Sequence, residues 1–227
     1  MKSKKSKKPA PREQKKREKR HRIRAAARES FSKHGYDAAT LRQIAKRAHV
    51  GLGTLFNYAQ DKQDLIFFIF NEELSAVTDE ALEAAHSQKR LLEQLAALIQ
   101  PHFELYAKTP GLSRILLNHM TFYSEGMHAT EFQQIRGRLF SGMEDLVRAA
   151  QQDGQIMSGE DATLIARHFF LVFAGALRWW IAGQKPDPRQ GAAELKRLFE
   201  LQMNGLRAAP AEETVSKAQI DNSAPLQ

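Results

Sequence analysis

Cysteine is missing from all 227 residues. Its absence excludes disulfides, thiolate nucleophiles and Cys-ligated zinc, and it suits a reducing compartment. Long apolar runs are missing too. The longest, FFLVFAGALRWWIA at 169–182, is preceded by His168 and interrupted by Arg178. It falls short of the roughly 20 apolar residues that cross a bilayer, so it reads as a buried helix and no membrane partner is expected. There is no alternating strand pattern with hairpin signals and no internal repeat. The first twenty residues are basic and hold no apolar stretch, so no signal peptide is expected. GxSxG, HExxH, the P-loop and GxGxxG are all absent. The eight histidines are scattered, with no i, i+4 pair enclosing a carboxylate on one helix. These gaps argue against catalysis, a metal site and a cofactor.

What is present is a core and a lopsided charge. Apolar residues make up 42% of the chain, enough to argue against global disorder. Residues 1–24 hold 13 Lys or Arg against Glu13 and Glu18, a net of +11. The remainder of a chain whose total is +8 is therefore −3. A basic arm on a mildly acidic body suits an anionic polymer as partner. Residues 1–12, MKSKKSKKPAPR, are low in complexity and contain two prolines. The arm, 1–18, is expected to be disordered, and so is a tail at 209–227.

Between arm and tail the periodicity is helical throughout. Ile23, Ala27, Phe31 and His34 share one helix face, and Gly35 is placed to stop that helix. Thr40 is a candidate N-cap for LRQIAKRA, an amphipathic helix of barely two turns. HVG makes a short turn and LGTLFNY a second short helix. Asp61 is a candidate N-cap for the long segment that follows. Further helices are expected over 88–107, 111–123, 128–153, 160–183 and 190–208, with Pro101 kinking or splitting the first of these.

Two short helices joined by a tight turn form a helix-turn-helix, whose second helix enters a major groove. Leu55 and Phe56 are expected to face Ile44 and Ala45, leaving Gly53, Thr54, Asn57 and Tyr58 outward. Gly51 and Gly53 either serve the turn or allow close backbone approach to DNA. Thr54 and Asn57 can hydrogen-bond bases or phosphates. Tyr58 and Lys62 have the reach for phosphates, which set register rather than sequence. Leu52 can meet a thymine methyl.

The run IRAAARESFSKHGYDAATLRQIAKRAHVGLGTLFNYAQDKQDL, residues 23–65, resembles the N-terminal DNA-binding domain of the TetR/AcrR family of bacterial transcriptional regulators. The matching positions include Ala27, Phe31, Gly35, Tyr36, Thr40, Ile44, Ala45, Ala48, Val50, Gly53, Thr54, Leu55, Tyr58, Lys62 and Leu65. The sequence departs from the family pattern at His49 (usually Gly), Gly51 (Ser), Asn57 (often aromatic) and Ala59 (Phe). The resemblance implies an all-α fold of about nine helices. Residues 19–65 would be the DNA-binding domain and 66–208 an effector-binding and dimerisation domain. It implies phosphate contacts from Thr40, Thr54, Tyr58 and Lys62. Arg42, Leu52, Gly53, Thr54 and Asn57 would lie at or near base edges.

The resemblance also implies a cytoplasmic, nucleoid-associated homodimer on a palindromic operator. Repression is the family default, relieved when a small effector retilts the helix starting at Lys62. The last two long helices would form the interface, with Phe173, Leu177, Trp180, Leu195, Leu198 and Gln202 as candidates. Trp179 and Trp180 cannot share one face. The effector pocket draws its candidate walls from Phe103, Tyr106, Leu116, Met120, Phe122, Phe169 and Phe173. Its candidate polar contacts are His102, Asn118, His119, Tyr123 and His168. The apolar bias of this set suggests a lipophilic or aromatic effector. The competing reading is a non-specific or architectural DNA-binding protein driven by the basic arm alone.

Overall fold

A computed structural model describes residues 11–157 and 159–206. Among the described residues there are nine helices and no strand. They are α1 (Pro11–Ala38), α2 (Leu41–Arg47), α3 (Leu52–Phe56), α4 (Lys62–His86), α5 (Leu91–Lys108), α6 (Pro110–Met120), α7 (Ala129–Gln152), α8 (Ala162–Ile181) and α9 (Pro188–Leu206).

The expected disorder over 1–18 is corrected in part, because α1 is already helical at Pro11. Proline suits a first helical turn, where its missing N–H has no intrahelical partner to lose. The Lys, Arg, Glu and Gln that follow are good helix formers, and Gln14 donates to Glu18 across one turn at 3.2 Å. Residues 1–10 and the tail expected at 209–227 lie outside the described residues. The regular turns of α1 end at Gly35, whose φ of 76° lies in the left-handed region. His34 is exposed rather than on the core face.

The next two helix starts are written locally. Thr40 Oγ1 accepts from the Gln43 amide at 3.2 Å, and the Thr40 amide donates to Gln43 Oε1 at 3.0 Å. This is a reciprocal capping box. Asp61 Oδ1 accepts from the Asp64 amide at 2.6 Å and caps α4. Between them α2 closes on a Schellman turn. The Val50 amide reaches the Ala45 carbonyl at 3.0 Å and the His49 amide reaches that of Lys46 at 3.2 Å. His49 occupies the left-handed position of that turn, with φ 53°. Ile23, Ala27, Phe31, Ile44, Ala45 and Leu55 form the small core of this N-terminal unit. Phe56 departs from expectation: it is exposed, and Leu55 alone of the two is buried. A helix of five residues, about one and a half turns, has one inward side, and Leu55 fills it.

α4 packs on α5, α7 and α6 in the body and on α1 in the N-terminal unit, so one helix belongs to both. Arg24 and Arg28 fasten α1 to it. Arg24 Nε donates to the Phe68 carbonyl at 3.0 Å and its guanidinium pairs with Glu72, holding that carboxyl below the usual range. Arg28 pairs with Glu73 at 2.5 Å and sits 5.1 Å from the Phe70 ring centroid. α5 runs as one helix through Pro101 instead of splitting there. Proline removes a single backbone bond, and the flanking Leu98, Ile99, His102 and Phe103 are all buried. α7, α8 and α9 complete the body, α8 packing on α7 and α9.

Candidate DNA-reading surface and effector cavity

α3 offers its outer side to solvent. Thr40, Arg42, Gly51, Gly53 and Asn57 are exposed; Leu52, Thr54 and Tyr58 are half-buried. A Cβ built on Gly53 would have no neighbour within 4 Å, and one on Gly51 would meet only Thr54 Oγ1 at 4.0 Å. Neither glycine has a positive φ. Gly51 is the N-cap of α3, a position that suits glycine. Gly53 lies inside the helix, where glycine costs about 1 kcal/mol against alanine, and no neighbour asks for it there. The Thr40 hydroxyl is committed to the capping box. Tyr58 packs its ring on Phe68, with centroids 5.7 Å apart. It also lines a shallow groove with Arg12, Lys15, Lys16 and Lys19 of α1. The basic start of α1 therefore lies beside the end of the recognition helix.

Lys62 already has partners within the monomer. Its ammonium donates to the Tyr36 carbonyl at 2.8 Å and the Asp37 carbonyl at 3.0 Å, over the Tyr36 ring. It ties the start of α4 to the end of α1. The Tyr36 ring in turn touches Phe31 and His119. Partial burial, with Asp61 and Asp37 nearby, raises the Tyr36 pKa.

The body holds a cavity of about 250 Å³ bounded by α4, α5, α6, α7 and α8. Its walls are mostly apolar, among them Leu74, Leu117, Met120, Phe132, Phe173 and Leu177. Thr78 and His102 line its buried end; Thr121, Arg136 and Leu171 are exposed at its rim. His102 is buried, and loss of solvent lowers its pKa to about 4, so it is neutral at pH 7. Burial likewise pushes the Tyr106 hydroxyl well above its ordinary range. Arg178 spans the cavity wall and the end of α6, donating to the Leu117 carbonyl at 3.2 Å and Thr121 Oγ1 at 3.0 Å.

From Thr121 the chain runs straight into a hydrogen-bonded loop over the start of α4. Tyr123 stacks on Phe67 with centroids 3.5 Å apart and donates its hydroxyl to Asp64 Oδ1. Burial, followed by that carboxylate, raises the Tyr123 pKa. The same oxygen accepts from the His128 amide at 3.1 Å. His128 Nε2 then reaches the carbonyl of Tyr58, at the end of the recognition helix, at 2.7 Å. A ring nitrogen facing a carbonyl carries the proton, so Nε2 is the donor. No sequence motif announced this junction, because its two halves, Tyr58 with Asp64 and Tyr123 with His128, lie about sixty residues apart in the chain.

Two family models match the chain. One describes bacterial regulatory proteins of the tetR family and covers residues 23–67. The other describes a tetracyclin repressor-like C-terminal domain and covers residues 88–199. The chain belongs to the TetR family. It resembles the fatty acid metabolism regulator protein of Bacillus subtilis, at 24% identity over 163 residues, 71% of this chain and 84% of that protein. Its fold matches the crystal structure of the Bacillus subtilis regulator FadR in complex with stearoyl-CoA. The TM-score there is 0.66 at 22% identity, covering 82% of this chain and 99% of that one. It also matches the regulator AibR in complex with isovaleryl coenzyme A and operator DNA. There the TM-score is 0.58 at 20% identity, covering 79% and 97%. This TetR-family member is thus a transcriptional regulator rather than a member of a catalytic family. Both of those structures hold a coenzyme A thioester, and the second holds operator DNA as well. Its relatives are bacterial DNA-binding regulators, a cytoplasmic class.

Within this TetR fold the structure sorts the expected effector residues. His102 and Tyr106 line the cavity, as do Met120 and Phe173. Phe103, by contrast, packs on Trp180, 4.7 Å between centroids, and on Phe173. Leu116 is fully buried but does not line the cavity. Phe169 packs on Phe199 between α8 and α9. Asn118, Phe122 and His168 are exposed. His119 touches Tyr36, with partial burial lowering its pKa, and Tyr123 serves the loop. Sequence reading missed Thr78, Arg136 and Arg178 as cavity residues; a polar residue on a helix carries no mark of what it faces.

The expected dimer face is corrected as well. Phe173 and Leu177 point into the cavity, and Leu195 is fully buried in the monomer. Trp180 is the inner tryptophan, packed against Phe103 and donating its indole N–H to the Asp187 carbonyl at 2.8 Å. Trp179 is the outer one, 80% exposed. Leu198 and Gln202 are half-buried. The exposed side of α8 carries Leu164, His168, Leu171, Gly175 and Trp179 at helical spacing, with Leu201 exposed on α9.

Proposed function

We propose that this TetR-family protein is a homodimeric repressor that reads a palindromic operator and releases it when an acyl thioester of coenzyme A enters the body. In each protomer Arg42, Gly51, Leu52, Gly53, Thr54 and Asn57 face the bases, and Tyr58 with the basic start of α1 faces phosphates. Thr40 contributes by capping α2, and Lys62 by fixing the angle between α1 and α4. The two copies meet through the apolar side of α8, around Trp179 and Leu171, and through α9. A large exposed apolar stripe of this kind marks an interface. The protein carries out no catalysis, and its association with the nucleoid follows from operator binding.

The observation that carries the reading is the shared loop. Thr121 lines the cavity and is held by Arg178, while His128, seven residues on, holds the carbonyl of Tyr58 just past the end of the recognition helix. An effector whose acyl group enters the apolar cavity, with its negatively charged portion near Arg136 and Arg178, competes for Arg178 and loosens the end of α6. Whatever shifts Thr121 shifts His128, Asp64 and the start of α4. A ligand acts only through its different affinity for the two states, and this junction is where the two states would differ. The acyl-CoA class is supported by the fold's likeness to regulators solved with stearoyl-CoA and isovaleryl coenzyme A.

The test is fluorescence anisotropy with DNA from upstream of the protein's own gene, against unrelated DNA, at about 150 mM salt where non-specific binding weakens. Preferential binding to the upstream DNA, reversed by a short-chain or aromatic acyl-CoA but not by coenzyme A alone, is the expected result. Release by no acyl-CoA would refute the effector class while leaving the repressor reading in place. Equal binding to both DNAs, abolished by removing residues 1–20, would instead favour an arm-driven, non-specific binder.

A further inference from the structure

Apart from Thr121, Arg136 and Arg178, three polar groups stand among the mostly apolar walls of the cavity. Thr78 of α4 and His102 of α5 are 1% and 2% exposed. Tyr106, one turn beyond His102, is 2% exposed, and among the described residues its hydroxyl reaches only the Met120 sulfur, at 4.0 Å. His102 Nδ1 lies 3.1 Å from the Leu98 carbonyl oxygen, which accepts only from a protonated nitrogen. The ring is neutral, since burial lowers its pKa to about 4. Its one proton is therefore on Nδ1, and Nε2 presents a bare lone pair. The sole polar neighbour of Nε2 among the described residues is Thr78 Oγ1 at 3.4 Å. That is about 0.5 Å beyond a usual O–H···N contact.

A buried acceptor with so distant a donor is costly to leave that way. The group that satisfies this pair must donate to Nε2 and accept from the Thr78 or Tyr106 hydroxyl. A hydroxyl does both. A carbonyl accepts only, and an alkyl or unsubstituted aryl end does neither. An ammonium would enter a cavity with no carboxylate in its lining. Size narrows the class further. The cavity, at about 250 Å³, lies at the small end of the roughly 300–1,000 Å³ range of ligand pockets. That suits one substituted aromatic ring or a short chain better than a long fatty acyl tail.

We infer that the effector's buried end is a short or aromatic group carrying a hydroxyl, bound between His102 Nε2 and Thr78 Oγ1. This deepens the effector reading above and rests on the same cavity, but it does not require the coenzyme A portion. Arg136 and Arg178 would meet the charged part at the rim, and the His102–Thr78 pair would discriminate at the other end. A site built to hydrogen-bond a hydroxyl rejects the analogue that lacks it, because its own buried groups are then left unpaired.

The test uses the full-length protein and probes that differ by one hydroxyl. p-Cresol and toluene, which need no coenzyme A, are titrated by calorimetry. 4-Hydroxybenzoyl-CoA and benzoyl-CoA are titrated in parallel. Thr78→Val keeps volume and removes the hydroxyl; His102→Leu removes the acceptor. The expected result is a wild-type preference for the hydroxylated member of at least one pair, reduced about tenfold or more in Thr78→Val. If His102→Leu does not fold, the Thr78→Val ratio alone decides. A hydroxyl preference for p-cresol with no binding of either thioester would uphold this inference and defeat the acyl-CoA class. Thioester binding with no hydroxyl preference, or a preference equal in wild type and Thr78→Val, would overturn the inference and leave that class standing. Binding of none of the four probes would overturn both.

Discussion

At Gly51 and Gly53 an added Cβ would meet almost nothing, the nearest atom being Thr54 Oγ1 at 4.0 Å from the first. At Gly126 it would meet the Tyr123 hydroxyl at 2.8 Å and Asp64 Oδ1 at 2.9 Å, at a φ of 131°. Gly53 of the recognition helix and Gly126 of the loop after α6 stand in opposite surroundings. The loop's glycine is explained by its own neighbours. Gly51 is the N-cap of α3, which suits glycine, whereas Gly53 is explained by none of its neighbours, and its open side leaves room for a partner. An unexplained surface residue points to a partner, whereas a crowded one points to the fold. The exposed Trp179 and the packed Trp180 repeat the contrast on adjacent residues of α8.

The largest effect should come from the residue the monomer explains least. Trp179→Glu is expected to weaken self-association by about 100-fold or more, a central interface tryptophan being worth about 2–4 kcal/mol. Sedimentation velocity across a concentration series reads it; an unchanged dimer would move the interface off this face of α8. His102 comes next. Its pKa is about 4 in the fold, against 6.5 as the ordinary value. Above pH 6.5 it is neutral in folded and unfolded chains alike and contributes no pH dependence. Between pH 6.5 and 4 the unfolded chain takes up the proton and the native one does not, so stability falls as pH falls. The full difference is on the order of 3 kcal/mol, at 1.36 kcal/mol per unit. Urea unfolding of wild type and His102→Leu at pH 7, 6 and 5 should show a shallower pH slope in the variant. Equal slopes would mean that His102 is not held neutral.

Gly126→Ala should lower stability by about 2 kcal/mol, through both strain and collision. A thermal midpoint within a degree of wild type would break the crowded half of the comparison. Gly53→Ala should do the reverse. It is expected to raise stability by about 1 kcal/mol, as alanine does in a helix, while weakening operator binding about tenfold. Loss of stability, or unchanged DNA affinity, would mean that the open space at Gly53 has no reader. Smallest is His49→Gly. The left-handed turn position tolerates histidine poorly, so glycine is expected to add about 0.5–1 kcal/mol in chemical unfolding. The exposed imidazole leaves room for a DNA contact, and a matched loss of affinity would reveal one.

The sequence by itself determined the helix-turn-helix. Thr40 with Gln43, the turn at His49 and the cap at Asp61 act over three to five residues. Each signal and its partner therefore lie in one contiguous stretch, and a contiguous stretch can be recognised. The all-helical body was legible for a similar reason, since helical periodicity needs no knowledge of neighbours. The sequence did not determine which side of each body helix faces what. α8 is apolar nearly all round, so its pattern has no single inward phase. Only packing against α5, α6, α7 and α9 turned Phe173 and Leu177 to the cavity, Phe169 to Phe199, Trp180 to Phe103 and Trp179 to solvent. The same holds for the pairing of Thr78 with His102 and of His128 with Tyr58. Those contacts join residues 24 and 70 positions apart, and nothing local to either partner encodes the distance between them.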